Sequence, residues 1–265
     1  MISSPDLKYS YTYLRDVSLP SRVAAGDEAR RFFNQTSVEK QQYTIRDHPE
    51  AGYRNIKNKE IYMLREAKYF PACAKLVEEL HALSKQCLQT IAATLQWDPS
   101  VLLNLIEVNT LPESGYSDSC LGLNHYSADD DSYGPILGQE HEDLGLLTLV
   151  CHTGVSALEI YDFVNDGGWM DVEAAQTSAD VIVMVGETLS KISNRCYLPA
   201  THRVRRPKTM RTSIVYQLRC RKDAVLDSQL FESAITGRFC KPFCISGADY
   251  LLAEKEVRAS ISGSY

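Results

Sequence analysis

The sequence lacks an apolar run long enough to cross a lipid bilayer, and its first 16 residues lack the apolar stretch of a secretory signal. A membrane-spanning helix needs about 20 mostly apolar residues, so we expect no contact with a membrane. Internal repeats, low-complexity tracts and long linkers are absent as well. These absences favour a single domain over residues 1–265, in a cytoplasmic protein that we expect to be a monomer.

Positive charge is scarce relative to negative charge. The chain has 28 Lys and Arg residues against 34 Asp and Glu residues, which gives a formal net charge of −6. No stretch interleaves basic with aromatic residues. This balance argues against a nucleic-acid partner, because such partners are met by basic surfaces.

Closely spaced cysteines are almost absent. Eight cysteines are present, but only Cys240 and Cys244 lie near each other in the chain. Without an export signal, we expect reduced and mostly buried thiols. An alternative is that this pair forms half of a zinc site, although no second pair has a matching ligand spacing.

What the sequence does contain is helical periodicity in its first part. Apolar residues recur at three- and four-residue steps from about Pro71 to Leu95, which predicts a helix that packs one face into the core. Residues 22–42 also have a helical pattern, with a break near residues 34–37. We assign neither segment a chemical role.

From about residue 101 the pattern changes to short β-type runs separated by turns. Such spacing is typical of a sandwich or barrel. We therefore predict a mainly β fold with flanking helices, in which residues 1–98 are mostly helical support, 99–223 form the core and 224–265 form a C-terminal cap. The predicted strands are Leu146–His152, Leu158–Phe163, Trp169–Glu173, Asp180–Val185 and Ser213–Leu218.

A metal site is indicated by His141 and Asp143, which are two residues apart. On a strand, or at its end, their side chains project from the same face. His202 is the candidate third ligand. Two histidines and one carboxylate on one face form the facial triad of non-haem Fe(II) oxygenases. The His-x-Asp pattern alone is weak evidence, since an exposed polar strand end has the same pattern.

Arg211 and Ser213 strengthen this interpretation. They also share a strand face, where a guanidinium and a hydroxyl can bind one carboxylate. Fe(II) contributes two positive charges, Asp143 one negative charge and a bound 2-oxoglutarate two negative charges. Arg211 would then bring the total to zero, whereas an unpaired buried charge is costly. The alternative role for Arg211 is a surface salt bridge.

The motifs in order resemble the Fe(II)/2-oxoglutarate-dependent dioxygenases, in the branch that contains isopenicillin N synthase, plant flavonoid and gibberellin oxygenases, and 1-aminocyclopropane-1-carboxylate oxidase. The resemblance is strong over about residues 120–220. The residues that carry it are His141-Glu142-Asp143, Gly145, Leu147-Thr148-Leu149, Gly168-Trp169, Gly186-Glu187-Thr188-Leu189, Ser193-Asn194, His202-Arg203-Val204 and Arg211-Thr212-Ser213.

This resemblance implies a double-stranded β-helix (jelly-roll) core with Fe(II) bound by the three predicted ligands, and with 2-oxoglutarate and O2 as cosubstrates. It assigns the 2-oxoglutarate carboxylate to Arg211 and Ser213. The family's Asn-x-Tyr element matches Asn124 and Tyr126, which are expected to hydrogen-bond the cosubstrate. The sequence departs from the family pattern at His125 and at Glu187, where an aspartate is usual.

The resemblance further implies oxidation of a C–H bond of a small-molecule metabolite, by hydroxylation, desaturation or oxidative cyclisation, in specialised metabolism. One alternative is an oxidase like isopenicillin N synthase or 1-aminocyclopropane-1-carboxylate oxidase, which lacks 2-oxoglutarate and uses Arg-x-Ser for a substrate carboxylate. A second alternative is a non-catalytic jelly-roll binding protein.

Three residues are weaker candidates for substrate binding. Alternation from Arg211 onward places Arg219 and Arg221 on the face of Ser213, where either could anchor a carboxylate of an amino-acid-derived substrate. The alternative is that both arginines are solvated beyond the strand. His125 lies beside the predicted cosubstrate residues and is the third candidate. We expect His48 and His81 at the surface.

Overall fold

The computed structural model describes residues 10–56, 59–112, 115–127, 134–165 and 167–262, with side chains to residue 256. The helices are α1 (Arg22–Phe33), α2 (Ser37–Gln41), α3 (Pro71–Thr94), α4 (Pro99–Leu103), α5 (Glu187–Ile192) and α6 (Gly247–Ser262). The strands are β1 (Tyr11–Leu14), β2 (Gly52–Ile56), β3 (Lys59–Leu64), β4 (Cys120–Tyr126), β5 (Ile136–His141), β6 (Leu147–Cys151), β7 (Leu158–Tyr161), β8 (Trp169–Asp171), β9 (Val181–Val185), β10 (His202–Arg205), β11 (Arg211–Leu218), β12 (Val225–Asp227) and β13 (Cys244–Ser246).

Two antiparallel sheets form the body of the molecule. The large sheet has the order β1-β9-β6-β11-β4-β3-β2, and the small sheet has the order β5-β10-β7-β8. Apolar residues of both sheets pack in one cluster, including Val150 and Ile182 from the large sheet and Leu158 and Ile160 from the small one. The predicted mainly β fold, a jelly-roll with flanking helices, is therefore confirmed.

The other face of the large sheet packs against the helices. The apolar stripe of α3 is buried there as predicted, with Leu76, Leu80 and Ile91 each no more than 1% exposed. Along β11, Tyr216 and Leu218 project into this helical core. The alternate residues of β11 face the small sheet, so one strand contributes to two cores.

The boundary predicted at residue 98 does not separate a helical N-terminal segment from the β-sheets. Strands β1, β2 and β3 precede that position and join the large sheet. The predicted helical segment 22–42 is two helices, because Thr36 caps α2 through a reciprocal capping box with Glu39. None of the described helices is long and apolar enough to cross a membrane.

The prediction of a surface position for His81 is wrong. Its side chain is 3% exposed and lies between α3 and β11. The Nδ1 atom lies 2.9 Å from the Tyr216 hydroxyl, and Nε2 lies 3.0 Å from the Glu107 carbonyl oxygen. Burial is possible because both ring nitrogens have partners. His48 is half-buried beside Tyr116.

All eight cysteines are free thiols, as predicted. Five are buried, whereas Cys196, Cys240 and Cys244 are exposed. In the part of the chain that the structure describes, Cys240 and Cys244 belong to no group of three metal ligands.

Candidate active site

The three predicted metal ligands converge at one end of the two sheets. His141 ends β5 and His202 begins β10, and the two residues are direct partners across the strand pair. Their ring centroids are 4.3 Å apart. Asp143 follows β5 by two residues, and the ligand atoms of all three side chains lie within 4.8 Å of one another.

The position of Asp143 depends on a close contact between two backbone segments. The Asp143 carbonyl accepts a hydrogen bond from the N–H of Glu187, at the start of α5. A Cβ atom on Gly186 would lie 2.1 Å from the Gly145 carbonyl oxygen, and one on Gly145 would lie 2.4 Å from the Leu218 carbonyl oxygen. Glycine at both positions therefore allows the turn after Asp143 to pack against α5 and β11.

Both histidines are held in the tautomer that a metal requires. The Nδ1 of His141 lies 2.8 Å from the Gln139 carbonyl oxygen, and the Nδ1 of His202 lies 2.9 Å from the Ala200 carbonyl oxygen. A carbonyl only accepts, so each Nδ1 carries the proton and each Nε2 keeps its lone pair. The two Nε2 atoms lie 3.8 and 3.9 Å from the Asp143 carboxylate.

The charges at the triad favour a neutral imidazole beside an ionised carboxylate. Burial and the neighbouring His202 lower the pKa of His141. Burial alone would raise the pKa of Asp143, but His202, His141 and the Thr148 hydroxyl outweigh it and hold that pKa below its usual value. Two imidazole lone pairs and one carboxylate on one face fit Fe(II).

Two further residues hold the Asp143 carboxylate. The Thr148 hydroxyl donates to Oδ2 at 2.6 Å, and the Gln217 amide donates to Oδ1 at 2.9 Å. Arg219 in turn donates to the Gln217 side-chain oxygen at 2.9 Å. The sequence alone predicted no role for Thr148 or Gln217, although Thr148 lies in the Leu147-Thr148-Leu149 motif and Gln217 lies on the same predicted strand face as Arg211 and Ser213.

A cavity of about 120 Å³ lies between the sheets and contains the triad. The predicted carboxylate-binding residues line the same cavity, so the structure brings both sets together. Its polar lining comprises Lys59, Asn124, Tyr126, His141, Asp143, His202, Arg211, Ser213 and Gln217.

Arg211 is buried in an ion pair with Glu173. The Arg211 Nη2 lies 2.7 Å from Glu173 Oε1, and both side chains are 2% exposed. Its Nε donates to the Val155 carbonyl, whereas Nη1 is buried without a hydrogen-bond partner among the described residues. The charge total inferred from the sequence is wrong, because it omitted Glu173, which neutralises Arg211. A surface salt bridge is excluded because the pair is buried.

The three weaker candidates lie outside the cavity lining. His125 projects from the opposite face of β4, where it stacks on Phe33 with ring centroids 4.9 Å apart. Arg219 follows the end of β11 and is 3.5 Å from Glu50, and Arg221 pairs with Asp223 near the surface. The strand ends at Leu218, so the alternation predicted from the sequence does not continue to the two arginines.

Comparison with known proteins points to one family. Residues 117–220 match the family model described as the 2OG-Fe(II) oxygenase superfamily. A gibberellin 2-beta-dioxygenase 3 from Arabidopsis thaliana is 29% identical over 166 residues, which cover 60% of this chain and 46% of that relative. The proline hydroxylase buaE from Petromyces alliaceus is 33% identical over 137 residues, which cover 51% of this chain and 40% of the relative. The chain thus spans less than half the length of these relatives.

Solved structures share the fold. A full-length Neurospora crassa protein in complex with alpha-KG superposes with a TM-score of 0.76 at 19% identity, over 93% of this chain and 85% of that one. A 2OG-Fe(II) oxygenase family protein from Caulobacter crescentus has the same TM-score and identity, over 96% of this chain and 90% of that one.

Proposed function

We propose that the protein is an Fe(II)- and 2-oxoglutarate-dependent oxygenase that oxidises a C–H bond of a small molecule, and the match of residues 117–220 to the 2OG-Fe(II) oxygenase superfamily supports this proposal. One observation carries this proposal. The facial triad and a buried guanidinium with an unpartnered Nη1 line the same cavity. A buried donor without a partner is rare in a folded protein and points to a ligand.

His141, Asp143 and His202 would hold Fe(II) through two Nε2 atoms and the carboxylate. When bound, iron supplies the redox chemistry that couples oxidation of 2-oxoglutarate by O2 to oxidation of a substrate. The protein residues position the reactants and keep water out. Arg211 and Ser213 would bind the far carboxylate of 2-oxoglutarate, with Asn124 and Tyr126 beside them on β4.

For the substrate, the more specific proposal is a carboxylated, amino-acid-derived compound of specialised metabolism. One relative is named a proline hydroxylase, which supports that class. Arg219 and Arg221 do not support it, because neither lines the cavity. The cytoplasmic location and the monomeric state stay predictions.

The proposal is tested by succinate formation. The purified protein is screened against a metabolite library with Fe(II), O2 and 2-oxoglutarate, and product masses are recorded. His141→Ala, Asp143→Ala and His202→Ala should each abolish succinate formation and weaken Fe(II) binding, because each removes one of three protein ligands. His48→Ala, outside the cavity lining, is the matched control and should retain both.

Three outcomes would contradict the proposal. Succinate formation at the wild-type level by any triad variant would remove that residue from the site. Product formation without 2-oxoglutarate would establish the oxidase alternative. Iron and 2-oxoglutarate binding without turnover of any library compound would favour the binding-protein alternative.

A further inference from the structure

A second cation besides Arg211 lies in the cavity. Lys59, at the start of β3, is the direct partner of Tyr126 on β4, and Tyr126 is the direct partner of Arg211 on β11. Directly opposed residues on antiparallel strands project from the same face. The Lys59 Nζ lies 5.5 Å from the Tyr126 ring centroid, and the Arg211 Cζ lies 5.4 Å from it. Two cationic side chains therefore lie against one aromatic ring.

The ion pair with Glu173 leaves the cavity short of one positive charge. Arg211 and Glu173 together carry no net charge. Fe(II) and Asp143 together would carry one positive charge, so bound 2-oxoglutarate, a dianion, would leave one negative charge uncompensated among these groups. An uncompensated charge in a buried site is costly. A further cation is needed.

Lys59 is available to supply that charge. Its neighbour Glu60 projects from the opposite face of β3 and binds Lys40 Nζ and the Tyr53 hydroxyl, each at 2.5 Å. Within the described ranges, no carboxylate forms an ion pair with Lys59. Lys59 lines the cavity, and among the described residues the Tyr126 ring is the one charge-stabilising contact of its ammonium.

We propose that Lys59 is a second cationic ligand of 2-oxoglutarate and binds the far carboxylate together with the unpartnered Nη1 of Arg211. This inference rests on the proposed function. With Lys59 counted, the iron-loaded cavity carries two positive charges and matches the dianion. Lysine suits this role because its ammonium is a compact charge that approaches a carboxylate already held by a planar guanidinium.

The test compares two ligands that differ only at the far carboxylate. Dissociation constants of 2-oxoglutarate and of 2-oxovalerate, which has a methyl group there, are measured without O2 on the Fe(II)-loaded full chain. Lys59→Met should weaken 2-oxoglutarate binding about 10- to 100-fold, the range of a charge-assisted hydrogen bond, and change 2-oxovalerate binding less than about twofold. Lys59→Arg should retain most of the affinity for 2-oxoglutarate.

Lys68→Met is the matched control. The Nζ of Lys68 also lies over a tyrosine ring, 4.9 Å from the centroid of Tyr69, but Lys68 is exposed and outside the cavity lining. This variant should leave both dissociation constants unchanged. Thermal midpoints and Fe(II) affinities of all variants show whether each one is folded and metal-competent.

The outcomes separate this inference from the proposed function. Unchanged 2-oxoglutarate affinity in Lys59→Met, with a loss in Arg211→Lys, would overturn the role of Lys59 and leave the proposed function standing. An equal loss for both ligands would also overturn it, because the far carboxylate would not be the group sensed. Failure of the iron-loaded wild type to bind 2-oxoglutarate would instead contradict the proposed function.

Discussion

At the scale of single residues, Asp143 is oriented by hydrogen bonds from two other side chains. Its two oxygens accept from side chains on two strands of the large sheet, Thr148 on β6 and Gln217 on β11. The two histidine rings are fixed by the carbonyls of Gln139 and Ala200. Such outer contacts set ligand direction and basicity, so they contribute to metal affinity without contacting the ion.

Replacing Thr148 should therefore weaken iron binding. Thr148→Val keeps the shape of this buried side chain but removes its hydroxyl donor, and we expect Fe(II) affinity to fall by about 10- to 100-fold. Thr148→Ser keeps the donor and should bind Fe(II) nearly as well as the wild type. Anaerobic competition against a metal-binding dye measures both affinities. Equal affinities in the valine and serine variants would show that this hydrogen bond does not support the site.

Some residues of the candidate site could be predicted from the sequence, and others could not. The spacing of His141 and Asp143, and the matching motif around Arg211, identified side chains that the structure brings together. Glu173 was missed because it lies 38 residues from Arg211 in the chain, and its inward direction follows from tertiary packing. The sequence assigned no role to Lys59, since its place in the cavity depends on the pairing of β3 with β4.

At the scale of secondary-structure elements, the periodicity of apolar residues predicted the helix and the strand that bury one regular face. Helix α3 and the centre of β11 each have a regular buried face, and their bounds follow the apolar pattern. Strands β4, β5 and β10 were not predicted, because they carry glycines such as Gly122 and Gly138 and polar cavity residues such as Asn124 and His202, which interrupt the apolar pattern. The polar residues that build the cavity thus conceal the strands that hold them.

The contact of α3 with β11 gives a pH-dependent stability. Burial is the main cause that lowers the pKa of His81 to about 4, so His81 stays neutral in the folded protein down to that pH. The unfolded chain takes up this proton below about pH 6.5. Between pH 6.5 and 4 the unfolded state binds more protons than the folded state. The free energy of unfolding therefore decreases as the pH is lowered through this range, by up to about 3 kcal/mol.

His81→Gln isolates this contribution, because glutamine can still bond Tyr216 and Glu107 but does not titrate. Urea unfolding of both proteins at pH 7, 6 and 5 measures the difference. We expect the free energy of unfolding of the wild type to fall more steeply than that of the variant. Parallel pH dependences would mean that His81 is protonated in the folded protein as readily as in the unfolded chain.

At the scale of the whole molecule, the fold places the two predicted histidine ligands and the predicted carboxylate-binding residues on different sheets. His141 and His202 belong to the small sheet, whereas Arg211, Ser213 and Tyr126 belong to the large one. Composition and strand spacing predicted a mainly β molecule. They did not predict that β1, β2 and β3 complete the large sheet, because strand partners distant in sequence are not visible in local patterns.

The whole fold determines which thiols are exposed, and the number of reactive thiols can be measured. Burial raises the pKa of Cys151 to about 11 and those of Cys87 and Cys220 to about 12, so these thiols are unreactive near neutral pH. In the native protein we expect Ellman's reagent to titrate the three exposed cysteines, and all eight after denaturation. A reaction of Cys240 and Cys244 that requires a chelator would instead support the zinc alternative.

The placement of the predicted iron ligands and the predicted carboxylate-binding residues on different sheets has a mechanical consequence. Under the proposed function, 2-oxoglutarate would be held by iron at the small sheet and by Arg211 at the large sheet, and it would link the two sheets. Such a link would oppose motions that move β10 away from β11. Occupation of the cavity would then stiffen the protein, because the two sheets would no longer move independently.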